Sequence, residues 1–234
     1  MSDFHYVGSE LDLFAEARNW KAYWSRRIGS FVRGDVLEVG AGIGSNTELM
    51  QGRTNGRWVC LEPDPSMASQ LEERIKGRDR LQAHCGTLQT LERKESFDTI
   101  VYVDVLEHIE DDAAEMREAA TRLRPGGRAI VLSPAHQWLF TPFDASIGHY
   151  RRYNRTSLKR ASPPDLVLEK MFYLDSCGIA ASAANQLFLK QSMPTRQQIG
   201  VWDRWIIPVS RVVDPVLQYA VGKSIVGVWR RPAA

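Results

Sequence analysis

From position 36 the chain reads Val36-Leu37-Glu38-Val39-Gly40-Ala41-Gly42-Ile43-Gly44-Ser45-Asn46, an apolar run with one acid that passes directly into a glycine-rich turn. The apolar run has the length and composition of a parallel strand buried on both faces. Glycines at 40, 42 and 44 allow a sharp turn and let a ligand approach where a Cβ atom would collide. The pattern therefore predicts a strand, a ligand-binding turn and a helix.

Two acids flank this turn in the sequence. Glu38 stands two residues before the first glycine, where a carboxylate could take an ammonium group. Glu62 ends the next apolar run and could accept hydrogen bonds from both hydroxyls of a ribose. The glycine spacing is Gly-x-Gly-x-Gly, which differs from the Gly-x-Gly-x-x-Gly of dinucleotide-binding turns. A zwitterionic nucleoside suits this arrangement better than a pyrophosphate.

The chain at this point resembles the class I S-adenosylmethionine (SAM) dependent methyltransferases, of the type 11/12-like kind, from about residue 34 to 133. The segments that carry the resemblance are 36–44, Leu61-Glu62-Pro63-Asp64-Pro65-Ser66-Met67, Phe97 to Val101 with Asp104-Val105-Leu106-Glu107-His108-Ile109, and Leu123-Arg124-Pro125-Gly126-Gly127. The resemblance implies SAM as cofactor and S-adenosylhomocysteine as product.

The resemblance also implies which residues hold the cofactor. They are Glu38, Gly40, Ala41, Gly42, Gly44, Asn46, Glu62, Pro63, Thr87, Leu88, Asp104 and Val105. The family usually carries an acid beside the adenine, but Gly86 or Thr87 stands there in this chain. We therefore expect a backbone contact or the Thr87 hydroxyl at the adenine. A helix cap is the structural alternative for Asp104.

Strand and helix patterns alternate through the first two thirds of the chain, which predicts an α/β fold with a doubly wound, mostly parallel sheet. The expected strands are 35–40, 57–61, 80–84, 98–103, 127–132 and 165–173, with a last strand at 224–230 that the family places antiparallel as the seventh. Expected helices are 10–30, 44–52, 65–76, 111–123 and 177–190. We expect one domain over 1–234, with a helical cap at 1–33, a SAM-binding core at 34–133 and acceptor-facing insertions at 134–234.

The segment after residue 133 carries the candidate acceptor site. Two histidines, His108 and His149, are candidate bases, since the unperturbed pKa of histidine suits proton removal near neutral pH. Asp144 could orient the ring of His149 or cap the following segment. The further candidates for acceptor binding are Tyr150, Arg151, Arg152 and Tyr153, whose arginines could grip an anion. A solvated face with ion pairs is the alternative for this cluster.

An apolar stripe at helical spacing runs through residues 197–221 and is interrupted by Pro208 and Pro215. Internal packing is one interpretation. The other is a hydrophobic lid or a peripheral membrane contact, because tryptophan and apolar residues with nearby arginines are typical of interfacial segments. The amino-terminal aromatic residues Tyr6, Trp20, Tyr23 and Trp24 could close over the cofactor in the same way or pack in the core.

Composition restricts the remaining classes. The net charge of +2 gives no global argument for nucleic-acid binding, and no Asn-Pro-Pro-Tyr or Asp-Pro-Pro-Tyr motif follows the fourth strand. Three widely spaced cysteines, at 60, 85 and 177, predict reduced, buried thiols and no metal or disulfide framework. The amino terminus does not resemble a secretory signal, so a cytoplasmic location is expected.

These patterns predict a SAM-dependent methyltransferase that acts on a small-molecule or lipid-linked acceptor, with oxygen favoured over nitrogen or carbon as the methylated atom. Methyl transfer needs alignment of donor and acceptor and, for a hydroxyl, removal of a proton. A non-catalytic module that binds SAM or another nucleoside is the competing class. A NAD-dependent oxidoreductase is the third class, and the glycine spacing counts against it.

Overall fold

The structure, a computed structural model, describes residues 16–184 and 195–233. One seven-stranded sheet runs through the described chain in the order β3-β2-β1-β4-β5-β7-β6. Its strands are β1 (Val36–Val39), β2 (Trp58–Glu62), β3 (Leu81–Cys85), β4 (Phe97–Val103), β5 (Leu123–Pro134), β6 (Val167–Leu174) and β7 (Ser224–Arg230). The first five are parallel to one another, and β7 is antiparallel to both β5 and β6.

The described helices flank this sheet. They are α1 (Arg18–Gly29), α2 (Ser45–Met50), α3 (Pro65–Ile75), α4 (Asp112–Arg122), α5 (Pro142–Ser146), α6 (Arg155–Ala161), α7 (Ser176–Ala184), α8 (Arg196–Val201) and α9 (Ile207–Val216). A π-helical turn over Trp202–Ile206 joins α8 to α9. Among the described residues, no helix is long and apolar enough to cross a bilayer.

The predicted sheet, with its antiparallel last strand, is confirmed, and β7 has the predicted bounds. β5 is longer than predicted at both ends. Phe97 pairs with Leu123 before a register shift, and Pro134 still pairs with Ser224 at the far end. The predicted helix at 177–190 is described only as far as Ala184, and the predicted helix at 10–30 only from Arg18, since the remaining positions lie outside the described residues.

Alternate residues of the central strands pack on opposite faces of the sheet. Val101 and Val103 join one apolar cluster, whereas Ile100 and Tyr102, on the same strand, join the other. This alternation follows from the two-residue repeat of a strand and explains why β1 and β4 are nearly continuous apolar runs. The ends of β1, β2 and β4 therefore emerge together at one edge of a rigid sheet.

Helix α1 covers one face of the sheet, and its aromatic residues belong to the core. Trp20, Tyr23 and Trp24 are buried in the same cluster as Val101. The interpretation of these three as a lid is therefore wrong, because an apolar ring in a packed interior is stabilised by its burial and is not free to close over a ligand. Tyr6, the fourth residue of that prediction, lies outside the described residues.

Cys60, Cys85 and Cys177 are all free thiols, as expected. Only Cys60 is buried, however, and Cys85 is exposed. The expectation of burial was wrong for Cys85 because β3 is an edge strand whose outer residues reach solvent.

Candidate active site

The glycine-rich turn lies between β1 and α2 at the carboxyl edge of the sheet. Gly40, Gly42 and Gly44 have φ angles of 68°, 55° and 84°, values that residues with a Cβ rarely adopt. A Cβ on Gly40 would lie 2.5 Å from Val105 Cγ2, so this glycine is needed for packing. A Cβ on Gly42 would meet no atom within 4 Å. Gly42 therefore faces open space that a ligand can fill.

Glu62 closes the turn from the end of β2. Its two carboxylate oxygens accept hydrogen bonds from the backbone N–H groups of Gly42, at 2.8 Å, and Asp64, at 2.9 Å. Burial raises the pKa of this carboxyl, against the lowering effect of the two backbone donors. Each oxygen keeps a second lone pair, so Glu62 can also accept hydroxyl hydrogen bonds from a ribose.

Glu38 is placed differently from the prediction. Its side chain is buried beneath the turn, where one oxygen accepts hydrogen bonds from Thr47 Oγ1 at 2.7 Å and Trp58 Nε1 at 2.8 Å. Burial raises the pKa of Glu38 to about 7. These contacts tie α2 to β2 through a carboxyl, which is a structural role, whereas the predicted ammonium contact would need that carboxyl at the ligand-facing surface.

Asp104 follows β4 and is exposed at the same edge of the sheet. Its φ of 54° turns the chain out of the strand. Desolvation raises the pKa of Asp104 to about 6, against the attraction of His149, Lys21 and Lys223. Asp104 therefore lies between the cofactor turn and the histidines, where a carboxylate can take a positively charged group.

The other predicted cofactor residues lie around this edge with different degrees of access. Ala41 is buried and donates its N–H to the Leu61 carbonyl, while Asn46, in the first turn of α2, is half-buried. Pro63 and Val105 are half-buried. Thr87 begins the short turn after β3 and exchanges hydrogen bonds with Thr90.

Leu88 does not face the site. Its side chain is fully buried in the core on one face of the sheet. A cofactor contact predicted for Leu88 can therefore be made only through its backbone. The family pattern locates this turn correctly but does not specify which way the leucine side chain points.

The acceptor side of the site is organised by Asp144. Its carboxylate accepts from Arg152 Nε at 2.8 Å and a terminal nitrogen of Arg152 at 2.9 Å, and it lies 3.0 Å from His149 Nδ1. Burial opposes ionisation of Asp144, but the hydrogen bonds from His149 and Arg152 outweigh it and hold its pKa well below the usual range. An ionised carboxylate only accepts hydrogen bonds, so Nδ1 of His149 is the donor in its contact with Asp144.

His108, Glu107 and His149 form a compact group beside Asp104. The two imidazole rings meet edge to face with 4.5 Å between centroids, and His149 Nε2 lies 3.9 Å from Glu107 Oε1. Burial lowers the pKa of His108 to about 4, and burial raises the pKa of Glu107 well above its usual range. One ligand atom of each lies within 4.8 Å of the others, a spacing that a metal ion could also use.

The aromatic and basic run after His149 is engaged by the protein itself. Arg151 pairs with Asp112 at 2.7 Å, and Tyr153 is fully buried with its hydroxyl donating to Asp112 at 2.7 Å. The prediction that the Tyr153 side chain contacts the acceptor is therefore wrong. An acceptor anion would have to compete with Asp112 for Arg151 and with Asp144 for Arg152. Tyr150 is the exposed member of the run.

Sequence reasoning missed two lysines near Asp104. Lys21 reaches the site from α1, and its Nζ donates to Ser45 Oγ at 3.2 Å. Lys223 reaches it from the segment before β7 and lies close to both Asp104 and Asp144. Both lie far from the glycine turn in sequence, so no local spacing could reveal them. Glu107 was visible within the fourth-strand motif but carried no distinguishing signal.

Known proteins share this fold and this turn. The fold is that of the class I SAM-dependent methyltransferases, and SAM is the cofactor of that family. Residues 37–129 match the family model described as a methyltransferase domain. The structure of the N-methyltransferase NodS from Bradyrhizobium japonicum WM9 with S-adenosyl-L-homocysteine superposes with a TM-score of 0.58 and 15% identity, over 92% of this chain and 87% of that chain.

Two curated relatives match parts of the chain. A ubiquinone biosynthesis O-methyltransferase from Bradyrhizobium sp. (strain ORS 278) is 28% identical over 104 residues, which are 44% of this chain and 41% of that protein. A demethylmenaquinone methyltransferase from Tropheryma whipplei (strain Twist) is 28% identical over 148 residues, which are 63% of this chain and 59% of that protein. The chain thus spans about half the length of these relatives.

The positions of three residues at this site fit the chemical groups of SAM. Gly42 offers an open approach, Glu62 offers acceptor lone pairs beside it, and Asp104 offers an exposed carboxylate beyond it. These three features correspond to a ligand with hydroxyl groups at one end and a positive charge at the other.

Proposed function

We propose that the protein transfers the methyl group of SAM to a hydroxyl of a small-molecule acceptor, with His149 as the base. The observation that carries the proposal is the contact between Asp144 and Nδ1 of His149, at 3.0 Å, next to the predicted cofactor site. A hydroxyl is a poor nucleophile until its proton leaves, whereas an amine or an activated carbon has less need of an oriented base. The oriented imidazole therefore favours oxygen.

Bound SAM would supply an electrophilic methyl group. The side chains of this chain would hold the cofactor and remove the proton of the acceptor hydroxyl. Glu62 and Asp104 would hold the two ends of the cofactor. His149 accepts the hydroxyl proton at Nε2, and Asp144 stabilises the imidazolium that forms, as does the nearby carboxylate of Asp104. Arg152 keeps Asp144 ionised and oriented through its two hydrogen bonds.

The second histidine is the weaker candidate base. The low pKa of His108, at about 4, keeps its imidazole neutral but makes it a poor proton acceptor near neutral pH. His108 packs edge to face on His149 and limits how the His149 ring can turn. We therefore assign His108 to positioning.

The acceptor is proposed to be a small, largely apolar molecule with a hydroxyl group. The two curated relatives are named for methylation in ubiquinone and menaquinone synthesis, and the first is an O-methyltransferase. Arg151 and Arg152 are occupied by acids, so the acceptor need not carry an anion. Nucleic acid is not proposed as an acceptor.

The test is methyl transfer from isotopically labelled SAM to hydroxylated aromatic compounds, each paired with its amine analogue. We expect labelled methyl ethers, identified by mass spectrometry, and no transfer to the amines. Labelled products on nitrogen or carbon would overturn the proposal. SAM binding by calorimetry without any product would favour the non-catalytic alternative. Activity that is lost with a chelator and restored by a divalent metal would assign Glu107, His108 and His149 to metal binding instead of proton transfer.

A further inference from the structure

The segment from α8 to α9 presents an apolar face to solvent. Five side chains make up this outward face, namely Val201, Trp205, Val209, Val212 and Val216, all of which are exposed. Trp205 is 65% exposed, Val212 is 70% exposed and Val216 is 79% exposed. Their spacing of three or four residues places them along one side of the helix. Isolated exposed apolar residues are common, but a continuous row of them indicates a contact surface.

The acids of this segment lie on its buried side and the arginines on its solvent side. Residues 201–217 contain two acids and two arginines. Asp203 and Asp214 are buried, whereas Arg204 and Arg211 are exposed. The solvent side of this fully described stretch is therefore apolar with a positive edge and no carboxylate.

The buried acids anchor the segment to the rest of the protein. Asp203 accepts hydrogen bonds from the backbone N–H groups of Asn19 and Trp20 at the start of α1. Asp214 accepts from the Tyr23 hydroxyl at 2.7 Å and from the backbone of Asp175 at 2.8 Å. A helix held by such buried contacts has a fixed orientation, so its outward face is a preformed surface.

The two tryptophans of the π-helical turn point in opposite directions. Trp202 donates its Nε1 proton to Asp175 at 2.8 Å and lies under Lys223, whereas Trp205 is exposed with Arg204 5.7 Å from its ring. An exposed tryptophan beside an arginine is typical of the interface between lipid headgroups and acyl chains. The turn thus separates an inward ring that packs against the core from an outward ring that is exposed to solvent.

We propose that the outward face docks on the surface of a membrane that contains anionic phospholipids, with α9 lying in the plane of the interface. Apolar side chains would enter the acyl boundary, and Arg204 and Arg211 would meet lipid phosphates. A second copy of the chain fits this face less well. A symmetric dimer through it would bring two positively charged edges together without a carboxylate on either side.

Docking would also place the candidate active site close to lipid. Asp203 holds the start of α1, and Lys21 on the same helix donates a hydrogen bond to Ser45 beside the glycine turn. The acceptor expected from this arrangement is a hydroxylated molecule dissolved in the bilayer. This consequence rests on the proposed function, whereas the docking itself does not.

The test is co-sedimentation of the full chain with vesicles, without SAM or acceptor. Vesicles of phosphatidylcholine mixed with phosphatidylglycerol should bind the protein, and vesicles of phosphatidylcholine alone should bind it weakly. Val212→Glu should reduce binding at least about tenfold, since it places a negative charge in the centre of the face. Arg204→Gln and Arg211→Gln should each reduce binding about fivefold and weaken its dependence on salt.

Val167→Glu is the matched control, because Val167 is an exposed valine on β6 outside the outward face. It should bind as the unaltered protein does, and circular dichroism should show every variant folded. Equal binding of Val212→Glu and the unaltered protein, or no preference for anionic vesicles, would overturn the proposal. A mass corresponding to a dimer in solution, lost in Val212→Glu, would assign the face to a second copy. Vesicle binding with no methyl transfer would leave docking in place and count only against the proposed function.

Discussion

Residues 36–46 and residues 135–153 both contribute to the candidate active site, but they are held in place by different interactions. The glycine turn depends on backbone conformations that its own three glycines permit. The 135–153 segment depends in part on side chains that meet across the fold, since Arg151 and Tyr153 both contact Asp112. A turn of the first kind can be recognised from local sequence, whereas the second kind requires a packed structure.

The largest expected effect concerns the base on the acceptor side. His149→Gln should lower kcat by about 10²- to 10⁴-fold, because the hydroxyl loses its proton acceptor. SAM affinity, measured by titration calorimetry, should not change, since the cofactor turn is built independently. His84→Gln, at an exposed position on β3, is the control and should retain full activity. An equal loss in SAM affinity would show that the two regions are not separable.

The second effect concerns the stability of the acceptor side. Arg152→Met removes the partner of a buried carboxylate and should lower the free energy of unfolding by about 3 to 5 kcal/mol in urea denaturation at neutral pH. The pKa of Asp144 is held low in the folded protein, so its ionised form stabilises the fold above the unfolded pKa of about 3.9. That contribution is lost as the pH falls, and the difference between Arg152→Met and the unaltered protein should shrink in acid.

Arg128→Met provides the comparison for that variant. Arg128 also contacts a carboxylate through two nitrogens, on Glu169, but this pair is more exposed to solvent. Its loss should cost about 1 kcal/mol or less. Similar losses for the two arginines would mean that burial of Asp144 does not stabilise the 135–153 segment.

The third effect concerns Gly42 in the cofactor turn. Gly42 and Gly77 both have a positive φ, and a Cβ on either would meet no atom within 4 Å. Alanine at each position should therefore lower the free energy of unfolding by a similar amount, about 1 to 2 kcal/mol. Only Gly42→Ala should also weaken SAM binding, by about tenfold or more, because its methyl group enters the space expected for the cofactor. Unchanged SAM affinity in Gly42→Ala would place the cofactor elsewhere.

The smallest effect tests whether Glu38 stabilises the fold or contacts the cofactor. A carboxyl with a raised pKa in the folded protein contributes stability below its unfolded pKa and loses it as the pH rises through about 7. Glu38→Gln should therefore raise the free energy of unfolding at about pH 8 by about 1 to 2 kcal/mol and change it little near pH 5. A large loss of SAM affinity in this variant would restore the predicted ammonium contact.

The sequence was a good guide wherever structure follows from local pattern. Gly40, Gly42 and Gly44 predicted the turn, and the apolar runs predicted the strands to within a few residues. Local pattern was a poor guide to the direction of individual side chains. Glu38 and Leu88 lie in segments that were identified correctly, yet both side chains are buried in the packed protein.

The 197–221 segment shows the same limit. Its apolar spacing was compatible with internal packing and with an interface, and the structure has apolar side chains on both a buried and an exposed side of the segment. Ile199 and Ile207 are buried, whereas Trp205 and Val212 are exposed. A helix with apolar residues on two sides does not reveal which side meets the protein, because that depends on the anchors at Asp203 and Asp214.

The sequence by itself determined the α/β sheet, the glycine turn and the order of the cofactor segments, since glycine conformation and the two-residue repeat of strands act over a few neighbouring positions. Only the tertiary structure decided that Lys21 and Lys223 approach Asp104, that Arg151 pairs with Asp112, and that Tyr153 is buried. Those contacts join residues whose proximity is set by the packing of separate elements on the sheet.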